Sequence, residues 1–127
     1  MTTLSPDQLI ARLKNDPESV DFEEVIAVID AHYHYSPTRF SNGCGDDRLI
    51  NEAGQNEGSC KIFAFARLHD LDEQTTLQLF GRFYRDEVLG DPDGDSHGNI
   101  RRFMQYGWDG IDFDAPALTP KHLADGT

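Results

Sequence analysis

Residues 51–60, NEAGQNEGSC, run without a break into residues 61–68, KIFAFARL, and the reading of that join decides the fold. The first ten residues bring side-chain amides, carboxylates, Gly54, Gly58 and a thiol together in one turn-forming stretch. In the eight that follow, Ile62, Phe63, Ala64, Phe65, Ala66 and Leu68 cover most of a helical cylinder with apolar groups. Such a helix is buried on several sides. The join therefore predicts a polar loop set against the start of a central core helix, and candidate site residues collect at that point.

Before this join, two helices are marked by their caps. Ser5, Pro6 and Gln8 have the spacing of an N-cap, a first helical position and a capping box, with Leu4 and Leu9 placed as a hydrophobic staple. A helix over residues 5–15 follows, ended by Asn15, Asp16 and Pro17. Asp21 and Glu24 repeat the pattern, with Val20 and Val25 as staple, and Phe22, Val25, Ile26, Ile29 and Tyr33 keep helical spacing to about residue 33. Two capped helices joined by a few residues predict an antiparallel helical hairpin. From Ser36 to Gln55 the helical period disappears. Residues 38–41 and 48–51 read as a small β-hairpin across NGCGDD.

Beyond the central helix, Asp72 is placed to cap a fourth helix carrying Leu77, Phe80, Phe83 and Tyr84 until Gly90, Asp91 and Pro92. Asp95 or Ser96 caps a fifth through Ile100, Phe103 and Met104, which Gly107 stops. Trp108, Ile111 and Phe113 then alternate with polar residues as an extended segment. The predicted architecture is a mainly α, compact bundle of about five helices with one small β-hairpin in residues 36–55. It forms a single domain over residues 1–127, with a loose tail from about residue 115.

Composition excludes several classes of function. With 23 acidic and 11 basic residues the chain carries a formal charge of −12, which opposes contact with nucleic acid or an anionic membrane. The N-terminus MTTLSPDQLI has neither the basic start nor the apolar core of a secretory signal, and no apolar run approaches the ~18 residues of a membrane span. The expected location is cytoplasmic. Cys44 and Cys60 are then expected as thiols. No metal or cofactor is expected. His32 and His34 diverge on a helix, no spacing matches a zinc signature, and Asp91, Asp93 and Asp95 open an EF-hand pattern that fails at Ser96 and Arg102.

Two chemistries compete for the join. In the first, Asn51, Glu52, Gln55, Asn56 and Glu57 form a polar clamp for a small ligand or a protein partner, backed by aromatic side chains; this is a non-enzymatic binding domain. Against it stands the tendency of such amides to satisfy their own loop or to cap the coming helix. In the second, Cys60 at the helix start is the nucleophile of a small hydrolase or transferase, with His97 as its base. Against that stands the frequency of cysteine as a small buried hydrophobe.

The segments FEEVIAVID, INEAGQNEGSCKIFAFARL and NIRRFMQYGWDGIDFD, in that order and spacing, resemble the HopJ type III effector protein family. The resemblance covers most of the chain. It implies a small, mainly helical bacterial protein of a family for which no biochemical activity is established. The effector label implies delivery into a host cell, whereas a helix capped at Ser5 leaves almost none of the helix-poor leader that such secretion uses.

Overall fold

The computed structural model of the chain describes residues 4–120. Its centre is helix α3, Glu57–Leu68, along which Cys60, Ile62, Phe63, Ala64, Phe65 and Ala66 are all buried. Phe63 is the hub. Its ring lies 5.0 Å from Phe103, 5.5 Å from Phe80, 5.9 Å from Phe40 and 6.3 Å from Trp108, mostly edge to face. Edge-to-face pairs of this kind add to the energy of burial alone.

The helices that surround α3 start where their caps dictate. Helix α1, Pro6–Asn15, carries the complete capping box: Gln8 N–H donates to Ser5 Oγ (3.2 Å) and Ser5 N–H donates to Gln8 Oε1 (2.9 Å). Helix α2, Phe22–His32, is capped by Asp21, but through Phe22 N–H, and Glu24 turns away to pair with Arg12 at 2.6 Å. Arg12 thereby ties α1 to α2 in the expected hairpin. Helix α4, Glu73–Gln78, is capped by Asp72, which accepts from Thr75 N–H at 2.8 Å.

The fourth predicted helix divides. After α4 the chain turns at Gly81 (φ +60°), where a Cβ would lie 2.6 Å from the Phe22 nitrogen, so only glycine lets this turn seat against α2. A π-helical segment, Phe83–Val88, follows, closed by Leu89 N–H donating to the Tyr84 carbonyl at 3.0 Å. Helix α5, Gly98–Tyr106, ends on Gly107 (φ +62°) as its C-terminal cap. Its start is at His97, two residues later than an Asp95 cap would set it.

The mainly α expectation is corrected to a mixed α/β fold. The hairpin in residues 36–55 is present as β2, Phe40–Asn42, and β3, Leu49–Asn51, antiparallel in the register Phe40 with Asn51. A third strand, β4 (Ile111–Phe113), adds to the free side of β2, and β1 (Tyr33–Tyr35) pairs with β5 (Leu118–Pro120) in a second small sheet. Three-residue strands carry too little periodicity to announce themselves. Here the pairing partners are separated by most of the chain, and Phe40 stacks on Phe113 at 5.0 Å across the sheet. Of the tail expected to be loose, residues 118–120 form β5 with Leu118 buried, and residues 121–127 lie outside the described residues.

The junction of α2 and β1 rests on a polar contact. Tyr33 Oη and His69 Nε2 lie 2.6 Å apart, and burial holds the His69 pKa below its ordinary 6.5. A base whose native pKa is depressed is fully accommodated above the unfolded value. Its contribution is lost as pH falls below that value, because the unfolded chain then binds the extra proton. Urea unfolding is thus expected to show stability declining from pH 7 to 5.5, with the decline shallower in His69→Gln. Phe63→Ala is expected to cost about 3–5 kcal/mol by the same measurement.

Candidate functional site

The fold distributes the side chains of the loop 51–60 among different contacts. Asn51, at the end of β3, is fully buried, and its amide is saturated. Its Nδ2 donates to Asn99 Oδ1 (3.1 Å) and to the Phe40 carbonyl (3.4 Å), while its Oδ1 accepts from Asn99 Nδ2 (2.9 Å) and Asn56 Nδ2 (2.6 Å). Asn42 on β2 joins the cluster, donating to the Asn99 carbonyl (2.8 Å) and Oδ1 (3.0 Å). Glu52 and Gln55 serve the turn: Glu52 N–H donates to Gln55 Oε1 at 3.1 Å, and the Glu52 carboxylate meets Arg39 at 3.4 Å. Glu57 is exposed and stands next to Tyr35 and Cys60.

Asn56 is the member of the loop that borders a hollow. A cleft of about 260 Å³ opens between the starts of α3 and α5, edged by Asn56, Gly58 and Ser59 from one helix and by His97, Gly98 and Asn99 from the other. Phe22, Phe80 and Phe83 provide its apolar wall, Phe83 being the first residue of the π-helical segment. The ring of Phe22 meets that of Phe83 edge to face at 5.0 Å. Gly58 is required for the close seating of α3 on this wall, since a Cβ there would lie 2.7 Å from Phe22 Cζ. π-Helical insertions concentrate at functional sites.

The two helix starts that edge the cleft differ from the others. Helices α1, α2 and α4 begin with a side-chain oxygen bonded to a first-turn N–H; α3 and α5 have no side-chain cap. Asn56 (φ 49°) and His97 (φ 54°), their N-cap residues, are two of the three non-glycine residues with positive φ among those described. This backbone region costs a non-glycine residue on the order of 1 kcal/mol or more. Asn56 spends its side chain on Asn51 rather than on its own helix. Among the described residues, the N–H groups of Gly58, Ser59, Gly98 and Asn99 meet no acceptor. They belong to the amides a helix leaves free at its start, where the helix dipole is positive.

His97 and Cys60 are not brought together. His97 Nε2 lies 2.7 Å from Glu87 Oε1 and its ring tilts over Phe83 at 5.3 Å. Cys60 is 1% exposed, with Sγ donating to the Thr38 carbonyl at 3.7 Å and Tyr35 beside it. Among the described residues no hydrogen bond joins the two. Burial pushes the Cys60 thiol pKa up, which outweighs its place at a helix start. Cys44 and Cys60 are both free thiols, and no cluster of three metal-binding side chains occurs among the described residues. No helix there is long and apolar enough to cross a membrane.

Sequence reasoning pointed to Asn56 but missed Ser59, Gly98 and Asn99 as cleft residues, and it placed His97 only through its hypothetical partnership with Cys60. The available signal was a glycine in the first turn of each helix, Gly58 in Asn-Glu-Gly-Ser and Gly98 in His-Gly-Asn, where backbone can approach a neighbour closely. Iodoacetamide at pH 8 is expected to label Cys44 rapidly in the folded protein and Cys60 only on addition of denaturant. Asn51→Ala is expected to cost about 2–4 kcal/mol, since it strands several buried partners at once.

Compared with known proteins, the chain matches the family described as HopJ type III effector protein over residues 6–118. Among solved structures it is similar to "Crystal structure of unknown function protein VPA0580", with 45% sequence identity and a TM-score of 0.88, over 94% of this chain and 97% of that one. No functionally curated protein matches. Because the family match spans nearly all of the described chain, from α1 to β5, this protein belongs to the HopJ type III effector protein family.

Proposed function

We propose that this protein is a non-enzymatic binding domain whose site is the cleft between the starts of α3 and α5. The observation that carries the reading is the composition of that hollow: three phenylalanines on one side, and Asn56, Ser59, His97 and Asn99 with free backbone amides on the other. Small-molecule sites combine an apolar wall with a few fixed polar groups in this way. The free donors are backbone N–H groups, so the matching ligand is a small molecule with a flat apolar body and an acceptor head, a carboxylate or carbonyl.

The size of the hollow sets the scale. At about 260 Å³ it lies just below the ~300–1,000 Å³ usual for drug-sized ligands, which fits a single aromatic ring with its substituent. A protein partner would need a far larger surface, on the order of 800 Å² per side. The cysteine-dependent alternative has no support from the geometry: the thiol is buried, burial raises its pKa, and its proposed base faces Glu87.

A titration with aromatic carboxylates and their amides, followed by amide chemical shifts, checks the reading. The signals of Gly58, Ser59, Gly98 and Ile100 are expected to move together with dissociation constants on the order of 0.01–1 mM. Ser59→Trp, which fills the mouth, is expected to abolish those shifts while leaving urea stability within ~1 kcal/mol of the parent. Shifts confined to other surfaces, or shifts that survive Ser59→Trp, would contradict it.

A further inference from the structure

A second hollow lies at the opposite end of α3 and is independent of the cleft. It is a trough of about 340 Å³ whose walls are carbon: Ala64 and Leu68 from α3, Phe113 from the end of β4, and Pro116 to Leu118 leading into β5. Leu68 is 49% exposed along its rim. Arg67 is the single charged side chain on the wall. In a chain with 23 acidic residues and 11 basic ones, Arg12, Arg39, Lys61, Arg82 and Arg102 have carboxylate partners, whereas Arg67, like Arg85 and Arg101, which bond to carbonyls, has none among the described residues; of these three only Arg67 edges this trough.

The guanidinium is nevertheless held in place. Its Nη2 donates weakly to the Ile111 carbonyl at 3.5 Å, and its carbon lies 5.3 Å from the Trp108 ring. Trp108 is itself fixed, with Nε1 donating to the Leu71 carbonyl at 2.9 Å and its ring packed on Phe103 at 5.0 Å. Most of the five N–H donors of Arg67 are left for another acceptor, and their planar fork suits a carboxylate. A cation in the last turn of α3 also complements the helix dipole, which accounts for the charge but not for the carbon-lined trough beside it.

We propose that this trough binds an aliphatic carboxylate, with the chain laid against Ala64, Leu68, Phe113 and Pro116 and the head group on Arg67. Charge complementarity selects this occupant: an acidic surface repels anions in general, and here a cation without a carboxylate partner, seated on Trp108, edges a trough with no other charged side chain on its wall.

The molecule carries its own reporter, since Trp108 is its only tryptophan and touches Arg67. Titration with decanoate below its micelle range is expected to change Trp108 fluorescence saturably, with affinity rising two- to fourfold for each methylene from hexanoate upward. Arg67→Gln, folded by circular dichroism, is expected to weaken decanoate at least tenfold. The weaker binding of decanol is expected to be equal in parent and variant. A decanoate affinity equal to that of decanol, an Arg67→Gln variant that binds decanoate as well as the parent, or no saturable change would overturn the proposal. So would concentration-dependent self-association abolished by Leu68→Glu, which would assign the trough to a second copy of the chain.

Discussion

The reciprocal amide pair between Asn51 and Asn99 is the constraint on which the rest of the site depends. Each side chain donates to the other, at 3.1 and 2.9 Å, in a position closed to water. A buried amide without partners is costly, and one with all its partners fixed in direction is a specific lock. This lock joins the last residue of β3 to the first turn of α5. Through Asn56 Nδ2 on Asn51 Oδ1 it also reaches the start of α3. The central helix and the last helix are thus brought start to start by one polar cluster inside a largely hydrocarbon core. The cleft is the space left between them. Asn42 completes the cluster imperfectly: its Oδ1 is the buried side-chain oxygen without a partner among the described residues. A strained or under-satisfied group next to a site is the kind of local cost that a fold retains when geometry matters more than stability.

The same lock explains the unusual start of α3. An asparagine at an N-cap ordinarily bonds its own helix. Asn56 is instead drawn toward Asn51, and with its side chain committed there, its backbone is left in the left-handed region and the first amides of α3 open toward the cleft. At α5 the N-cap residue is His97, and its ring is turned to Glu87 instead of to its own helix. The three helices remote from this cluster, α1, α2 and α4, have side-chain caps, two from Ser5 and Asp72 to the third residue and one from Asp21 to the next. Capping is therefore withheld where a hollow needs free donors and supplied where the helix needs only an ending.

Much of the helical framework was legible because its signals are local. Ser5, Pro6 and Gln8 set α1, and Asp72 sets the start of α4, through contacts within a few residues of one another. The apolar run from Ile62 to Leu68 identified the core helix for the same reason. What escaped was written in long-range pairing. Strands β1 and β5 have three residues each and meet across most of the chain, so neither period nor composition marked them, and Trp108 read as extended although it lies in a 3₁₀ turn at Gly107–Gly110. The break at Gly81 is imposed by the approach of α2 and not by propensity.

The candidate site was half legible for related reasons. Polar residues at the start of a buried helix identified the neighbourhood, and Asn56 is in the cleft. Their individual roles depended on where Asn99 would arrive from, 48 residues from Asn51 in sequence. Cys60 illustrates the converse: its position at a helix start favours a thiolate, but the fold covers it with Thr38 and Tyr35 and reverses the effect. The most direct test of the central claim is a double-mutant cycle between Asn51→Ala and Asn99→Ala, followed by urea unfolding. A coupling energy of about 1–3 kcal/mol is predicted for residues that lock each other. Additive losses, within ~0.5 kcal/mol, would show that the two amides act independently and that the cleft is not organised by their pairing.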